Sequence, residues 1–319
     1  MRARSLALVA LAALALAPLG CLHAPFDPSR LDARALHDSV ATPAGEARFH
    51  AIPFPPRART RPTRAPLVLV EPVLFRRELL LEDGGLVATL EDAGFPVWLV
   101  GADVEVAPDA RTSATGIARA IGSVARAAGV DHVDVVSLGL SGAATLGALS
   151  SLAEPGSPVR VTKLALVGTP LDEAYPGSFA SRTRAIAGGP ASALCMLDGG
   201  TGCTRAFRDP GAAAWLGVLP APDPDDAKHA RERYPWLPRI EGTSVLFLAG
   251  KLDGVAPTES LFPVFEAWGS ELGAALVHKR FFIAGLENSM GHDFDGFALL
   301  ARQDGASAVW DQLIAFLRE

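Results

Sequence analysis

The sequence predicts an α/β protein with a mostly parallel central sheet, flanking helices on both faces and one insertion that forms a lid or cap. Short apolar runs alternate with helical patterns, as expected when helices cross over between parallel strands. One apolar run leads directly into Gly139-Leu140-Ser141-Gly142-Ala143, a stretch of small residues that opens a helical pattern. A long stretch rich in Pro, Gly and Ala, over residues 171–242, interrupts the alternation and predicts the lid.

The individual elements follow from hydrophobic periodicity. Apolar runs rich in Val and Leu predict buried strands at residues 67–70, 97–100, 133–138, 164–167, 245–249 and 279–283. Helical patterns predict helices at residues 79–93, 117–128, 141–152, 258–272 and 307–317. Gly94 and Gly129 stand where the first two of these helices should end, because glycine accepts the left-handed conformation of a helix C-terminus. Residues 65–319 are therefore predicted to form one α/β domain that contains the insertion.

Composition argues against several classes of partner. The chain has 319 residues, of which 49% are hydrophobic and 20% charged, so it is long enough to bury a large core. Its formal net charge of −6 argues against nucleic acid as a partner, because binding to phosphates needs an excess of basic groups. The sequence has neither an HExxH motif nor a Cys/His cluster, so no metal or other cofactor is expected.

The N-terminus is typical of a bacterial export signal. Two arginines precede an apolar stretch over residues 6–17, which is too short to span a bilayer. The segment Leu19-Gly20-Cys21 resembles the lipobox of bacterial lipoproteins, which implies a signal peptide over residues 1–20 and a lipid on Cys21. The resemblance implies an exported protein of the outer membrane or cell envelope, held at the membrane by that lipid. Ordinary secretion, with a periplasmic or secreted product, is the alternative.

Two further expectations concern the exported chain. Residues 21–64 contain many prolines and a basic cluster, which predicts a flexible tether. The basic cluster fits a solvated linker, and contact with anionic headgroups is the alternative. Cys195 and Cys203 lie close together in a Gly-rich stretch, and in an oxidising compartment they are expected to form a disulfide. Two free thiols are the alternative.

Ser141 is the candidate nucleophile. A buried strand, a tight turn with Ser at its apex and a helix form a nucleophile elbow, in which small neighbours let the strand and the helix pass close together. We expect a strained backbone at Ser141 and a hydroxyl that stands in solvent at the helix N-terminus. The N–H of Gly142 is the predicted first oxyanion donor, and Val73 or Leu74 supplies the second because Pro72 has no N–H. The alternative is a Ser in an ordinary strand-to-helix turn.

Asp253 and His292 are the candidate partners of Ser141. Each follows an apolar strand, and the carboxyl ends of parallel strands meet at one edge of a sheet. A His in that place can act as general base, and a buried Asp can orient its ring. Asp172 is the rival for the acid role, and a purely structural loop His is the alternative for His292. The remaining histidines are less well placed, and His50 falls in the predicted tether.

The order Ser, Asp, His is the one expected for α/β-hydrolases, and residues 65–319 resemble that superfamily. Residues 79–97 and the run Gly168-Thr169-Pro170-Leu171-Asp172 are similar to stretches of PhaC-type polyhydroxyalkanoate synthases, which use Cys where this chain has Ser141. The C-terminal part from Gly291 onwards looks like acid-lipase-type hydrolases. The resemblance implies a serine hydrolase that cleaves a small-molecule or lipid-like acyl ester through an acyl-enzyme.

Two other functions remain open on the sequence. An acyltransferase of PhaC-like type would use the same acyl-enzyme, because a second nucleophile can intercept it. A non-catalytic surface lipoprotein would use the fold for binding alone. The aromatic residues of the predicted lid, Phe179, Trp215 and Trp236, favour an apolar substrate, with packing of the lid onto the core as the alternative.

Overall fold

A single sheet organises the computed structural model, which describes residues 35–42, 45–56, 65–72, 77–102, 110–154, 156–171, 232, 234–253, 256–296, 298–300 and 306–319. Within these residues the sheet has eight strands. In chain order they are β1 (Leu36–Thr42), β2 (Gly45–Phe54), β3 (Leu67–Val70), β4 (Val97–Ala102), β5 (His132–Leu138), β6 (Arg160–Val167), β7 (Ser244–Gly250) and β8 (Lys279–Ala284).

The strand order is β1-β2-β4-β3-β5-β6-β7-β8. Strands β3 to β8 are parallel to one another, whereas β2 is antiparallel to β4 and β1, at the edge, is antiparallel to β2. The chain leaves β3 towards β4 on one side and returns to β5 on the other, so the strand order reverses at β3. Crevices outside the carboxyl ends of the strands at such a reversal are where α/β proteins bind ligands.

Helices cover both faces of the sheet. They are α1 (Glu78–Leu81), α2 (Leu86–Asp92), α3 (Ala110–Ala128), α4 (Ser141–Leu152), α5 (Thr258–Ala267) and α6 (Ala306–Arg318). Successive side chains of a strand point to opposite faces. Val68 and Val70 of β3 therefore pack in the core with α3, α4 and α5, while Leu67 and Leu69 pack in the core with α2 and α6. The predicted mostly parallel sheet with helices on both faces is confirmed.

The predicted helix over residues 79–93 is two helices, α1 and α2, separated by a turn. Gly84 in this turn has a φ of +72°, a conformation that favours glycine. A Cβ on Gly85 would lie 2.9 Å from the carbonyl oxygens of Leu80 and Glu82, so only glycine fits there without a shift of the backbone. Two consecutive glycines thus divide a helical pattern that otherwise continues.

The predicted tether over residues 21–64 differs from the structure at Leu36–Thr42 and Gly45–Phe54, which form β1 and β2. Ala47, Phe49 and Ala51 are buried on one side of β2, which supplies the apolar face that a strand needs. Pro53 does not disrupt the sheet, because it lies beyond Ala51, the last residue of β2 that pairs with β1. Beyond Ala51, β2 pairs with β4 only, and proline is tolerated at such an edge. Residues 1–34, which include the predicted signal peptide and Cys21, lie outside the described residues.

The predicted lid over residues 171–242 is described only at its two ends, and residues 172–231 lie outside the description. Its second end is not a lid: Leu237 and Ile240 are buried in the core beside α5. The N–H of Gly269 donates to the carbonyl of Leu237 at 2.8 Å, and Trp236 contacts Trp268 edge to face at 6.5 Å. Residues 234–242 are therefore part of the domain body. Trp236 packs onto the core, which was the alternative to a role in an apolar substrate site.

Asp134 of β5 offers a test of buried charge away from the candidate site. Asp134 is 5% exposed, and its Oδ1 accepts a hydrogen bond of 2.7 Å from Thr162. Burial raises the pKa of its carboxyl. A folded-state pKa above the unfolded value favours the protonated form on folding, so this group stabilises the fold at low pH and loses that contribution as pH rises. We expect Asp134→Asn to raise the free energy of unfolding at pH 7 by about 1 kcal/mol or less, measured by urea denaturation.

The gain from Asp134→Asn should disappear as the pH falls through the ordinary aspartate range, where the unfolded chain is also protonated. Asp131 is a suitable control, because its exposed carboxylate interacts with His132 and Arg160, which lower its pKa. The same substitution at Asp131 should bring no gain. A loss of stability in Asp134→Asn at pH 7 would contradict the prediction.

Candidate active site

The predicted strand, turn and helix around Ser141 are present. β5 ends at Leu138, Gly139 turns the chain with a φ of +56°, and α4 begins at Ser141. The turn passes close to the segment that follows β6, because a Cβ on Gly142 would lie 1.9 Å from Cγ2 of Thr169. The side chain of Thr169 therefore leaves room only for glycine at position 142.

The conformation of Ser141 differs from the expected one in two respects. Its φ is not positive, and the left-handed residue of the turn is Gly139, so glycine takes the conformation that would strain Ser141. Ser141 is 2% exposed rather than standing in solvent, and its hydroxyl donates a hydrogen bond of 2.6 Å to the carbonyl of Leu138. The expectations of a strained backbone and an exposed hydroxyl at Ser141 are therefore wrong for this conformation.

Hydrogen bonds within the turn hold it in place. The hydroxyls of Ser137 and Thr145 lie 2.8 Å apart, and that of Thr145 donates to the carbonyl of Ser141 at 2.9 Å. The N–H of Gly142, the predicted oxyanion donor, donates to the carbonyl of Gly139 at 3.2 Å. Val73, the predicted second donor, lies outside the described residues.

Asp253 lies in the turn that follows β7 and is 5% exposed. Its Oδ1 accepts a hydrogen bond of 2.8 Å from the N–H of Ala256. Its carboxylate also contacts two glycines of other segments, since a Cβ on Gly296 would lie 2.8 Å from both oxygens and one on Gly168 would lie 3.4 Å from Oδ2. The carboxylate is therefore enclosed between the segment after β6 and the segment that carries His292.

His292 is exposed on the segment that follows β8, and its ring stacks on Phe294 with centroids 4.2 Å apart. This segment joins that of Asp253 through a backbone hydrogen bond of 2.8 Å from Leu252 to Phe294 and an ion pair of 3.0 Å between Lys251 and Glu287. Among the described residues, no hydrogen bond links the His292 ring to Ser141 or Asp253. Catalytic hydrogen bonds are often long or poorly aligned before substrate binds.

Contacts between segments bring the three candidate residues to the same edge of the sheet. Gly142, next to Ser141, packs against Thr169, and Gly168, next to Thr169, packs against the carboxylate of Asp253. The Asp253 segment in turn pairs with Phe294, two residues from His292. The rival Asp172 and the cysteines of the predicted disulfide lie outside the described residues.

Ser289 carries backbone strain in the segment that leads to His292. Its φ of +64° and ψ of +24° place a residue with a side chain in the left-handed region. We expect Ser289→Gly to raise the free energy of unfolding by about 0.5–1 kcal/mol, because glycine adopts this conformation without steric cost. Thermal denaturation should show a midpoint a few degrees higher, and the same change at exposed Ser270, whose φ is not positive, should not.

Sequence reasoning missed a charged cluster beside the candidate site. His50 of β2 lies next to Glu71, which directly follows β3, and next to Arg77, which directly precedes α1. Burial alone would raise the pKa of Glu71, but the hydrogen bond from His50 and the charge of Arg77 outweigh it and hold that pKa below its usual value. A charged residue immediately after a buried strand is a signal that could have identified Glu71.

Neither a metal-binding cluster nor a membrane-spanning helix is found among the described residues. In that part of the chain, no group of three or more His, Cys, Asp or Glu side chains is arranged to hold a metal ion. No helix there is both long enough and apolar enough to cross a bilayer.

Solved structures of hydrolases share this arrangement of strands and helices. An esterase from Exiguobacterium antarcticum superimposes with a TM-score of 0.55 at 13% identity, covering 89% of this chain and 100% of the other. A probable hydrolytic enzyme from Pseudomonas aeruginosa PAO1 gives 0.56 at 14% identity, with 89% and 94% covered. An esterase from Pyrococcus furiosus gives 0.54 at 11% identity, with 92% and 94% covered.

No family model and no curated protein sequence matches the chain. The resemblance to PhaC-type synthases therefore stays a prediction. The structural likenesses are at low identity, and they establish the architecture rather than the reaction. With its parallel sheet, its turn at Gly139–Gly142 and these structural neighbours, the chain has the α/β-hydrolase fold.

Proposed function

We propose that the protein is a serine hydrolase that cleaves carboxylic acyl esters. The observation that carries the proposal is the continuous contact from the Ser141 turn, through Gly168 and Thr169, to the enclosed carboxylate of Asp253. Three segments that are far apart in the sequence meet there, at the carboxyl ends of neighbouring parallel strands. That is the edge at which α/β proteins do their chemistry.

In the proposed reaction, the Ser141 hydroxyl leaves the carbonyl of Leu138 and attacks the carbonyl carbon of the ester. His292 accepts the hydroxyl proton and then delivers it to the leaving alcohol, while Asp253 holds the ring and stabilises its positive charge. The N–H of Gly142 turns from Gly139 to the developing oxyanion, and Val73 supplies the second donor. Water, deprotonated by His292, then attacks the acyl-enzyme, and His292 returns that proton to the Ser141 oxygen as the acid is released.

A fluorophosphonate probe tests the nucleophile directly, because it phosphonylates an activated serine. We expect the purified protein to be labelled once per chain, on the peptide that contains Ser141, and Ser141→Ala to be unlabelled. Ser137→Ala removes a buried hydroxyl of β5 that contacts Thr145 of α4, and it should still be labelled. A folded protein that is not labelled, or a Ser141→Ala variant labelled as fast as the original, would refute the proposal.

A second candidate is a non-catalytic binding protein with the same fold. The hydrogen bond from Ser141 to Leu138 favours it, because a buried, engaged hydroxyl is also what a structural serine in a turn would show. The same probe separates the two candidates. Esters of graded chain length, with and without added alcohol acceptors, then separate a hydrolase from an acyltransferase and report the depth of the acyl site.

We also propose that the chain is exported and held at the cell envelope by a lipid on Cys21, without nucleic-acid partners. Mass spectrometry of the N-terminal peptide from native membranes tests this, because a lipidated Cys21 as first residue adds the mass of its acyl chains. An unmodified peptide that begins elsewhere would indicate ordinary secretion. A thiol count on the same protein tests the Cys195–Cys203 disulfide, which two titratable thiols would exclude.

A further inference from the structure

We propose that Glu71, His50 and Arg77 form a positioning cluster for the reaction at Ser141. None of the three is a candidate for the chemical steps, and they lie on three different elements of the fold. The inference rests on the proposed hydrolase function, since it assigns to these residues the task of fixing one wall of that reaction centre.

The three side chains contact one another directly. Arg77 Nε lies 2.6 Å from Glu71 Oε1, and Arg77 Nη2 donates to Glu71 Oε2 at 3.3 Å. Nη2 also lies 2.7 Å from Nε2 of His50, which is 3.3 Å from Glu71 Oε1. One guanidinium nitrogen donates to Glu71 Oε2 and a second lies at ion-pair distance from Oε1, so both carboxylate oxygens face the guanidinium. The His50 and Glu71 side chains are only 3% and 13% exposed.

The cluster borders the Ser141 turn through the sheet. β3 pairs with β5, and Val70 lies opposite Ser137. Glu71 is one residue beyond that pair, level with Leu138, whose carbonyl holds the Ser141 hydroxyl. The N–H of Glu71 also donates to the carbonyl of Val100 in β4 at 2.8 Å, so its backbone is fixed on the other side as well.

The neighbouring strand leaves room for these side chains. Gly101 of β4 lies opposite His50 of β2. A Cβ on Gly101 would lie 2.3 Å from Oε2 of Glu71 and 3.0 Å from Nε2 of His50. Any residue other than glycine would therefore displace the carboxylate. The missing side chain of Gly101 thus provides the space that the Glu71 carboxylate and the His50 ring occupy.

The Glu71–Arg77 pair is partly buried, with side chains 13% and 26% exposed, and such a pair is a poor source of stability because the cost of removing charges from water offsets much of their attraction. Its advantage is a defined geometry. Glu71 and Arg77 stand immediately before and after residues 72–76, of which 73–76 lie outside the described residues. Their ion pair therefore sets the separation of the two points at which the chain leaves β3 and enters α1, beside Leu138.

The test uses p-nitrophenyl acetate as substrate and a fluorophosphonate to count competent sites. We expect Glu71→Gln and Arg77→Met each to lower kcat per titrated site by about 10- to 100-fold while KM changes less than about threefold, because a displacement near 1 Å at a reaction centre costs that much. The double variant should lose no more than either single one, since residues that act as a unit are not additive.

Asp134→Asn is the matched control, because it also neutralises a buried carboxylate on a central strand, but its kcat should be unchanged. Arg77→Lys keeps the charge and loses the planar guanidinium that faces both Glu71 oxygens, and it should show a smaller fall in kcat than Arg77→Met. If Glu71→Gln does not fold, the kcat per titrated site of Arg77→Lys tests the proposal: a fall supports the positioning role, and a wild-type value overturns it.

The positioning role is overturned if the folded Glu71→Gln and Arg77→Lys variants both keep the wild-type kcat per titrated site while Ser141→Ala loses labelling. In that case the proposed function stands and only this inference fails. A wild-type protein that is neither labelled nor active would remove both together. A fall in kcat that the Asp134→Asn control shares would mean a general loss of structure, and it would also overturn the positioning role.

Discussion

His292→Ala is expected to lower kcat for a short acyl ester by about 10⁴-fold or more, because the general base of a serine hydrolase is worth at least that much. The same substitution should change the free energy of unfolding by less than about 0.5 kcal/mol, since the residue is exposed and its ring stacks on Phe294 near the surface. Steady-state kinetics and urea denaturation on the same sample separate the two effects.

His278→Ala is the matched control for this prediction. His278 is also exposed and precedes β8, whereas His292 follows it, so the two lie at opposite ends of one strand. Activity should survive in His278→Ala. A His292→Ala protein with nearly normal kcat would show that the proton is taken by another group, and it would remove the assigned general base.

Gly142→Ala is expected to reduce both stability and activity. The added methyl would lie 1.9 Å from Cγ2, 2.7 Å from Oγ1 and 2.8 Å from Cβ of Thr169, and Thr169 is fully buried. The side chain cannot swing into solvent, so the turn and the segment after β6 must move apart. We expect a loss of about 1–3 kcal/mol in the free energy of unfolding, the usual cost of overpacking, together with a fall in kcat.

A second substitution should partly reverse this effect. Thr169→Ser removes the methyl that the new Cβ meets first, so the double variant with Gly142→Ala should recover part of the lost stability. Gly122→Ala in α3 is the control, because the nearest atom to its new Cβ is the end of the Arg126 side chain at 3.4 Å. Alanine there should gain about 0.5–1 kcal/mol from helix propensity. Equal effects at Gly142 and Gly122 would refute the steric argument.

The central strands could be predicted because their signal is local. Buried parallel strands are apolar on both faces, so runs such as that of β5 or β7 stand out from any neighbouring sequence. β1 and β2 were missed because their burial depends on β4, which lies far along the chain. In β2, Phe49 and Ala51 point inward while Arg48 points outward, and Pro53 hides this alternation in a segment that resembles a linker.

In the candidate site too, features with a local sequence signal could be predicted, and features that depend on distant parts of the chain could not. The sequence places Ser141, Asp253 and His292 at strand ends, because each position depends on its own strand and turn. It does not predict that the Ser141 hydroxyl engages Leu138, since that depends on where α4 begins and on the small turn residue Gly139. The His50–Glu71–Arg77 cluster needs three elements brought together by the sheet, so no local pattern reports it.

The hydrogen bond between Ser141 and Leu138 has a consequence for how the resting protein reacts. The Ser141 hydroxyl must break this bond before it can take part in the proposed reaction. Breaking a bond of ordinary net strength costs about 0.5–1.5 kcal/mol, which slows an unbound reagent roughly two- to tenfold. In the proposed reaction, contacts with a bound substrate offset this cost, whereas an electrophile that does not bind has no such compensation.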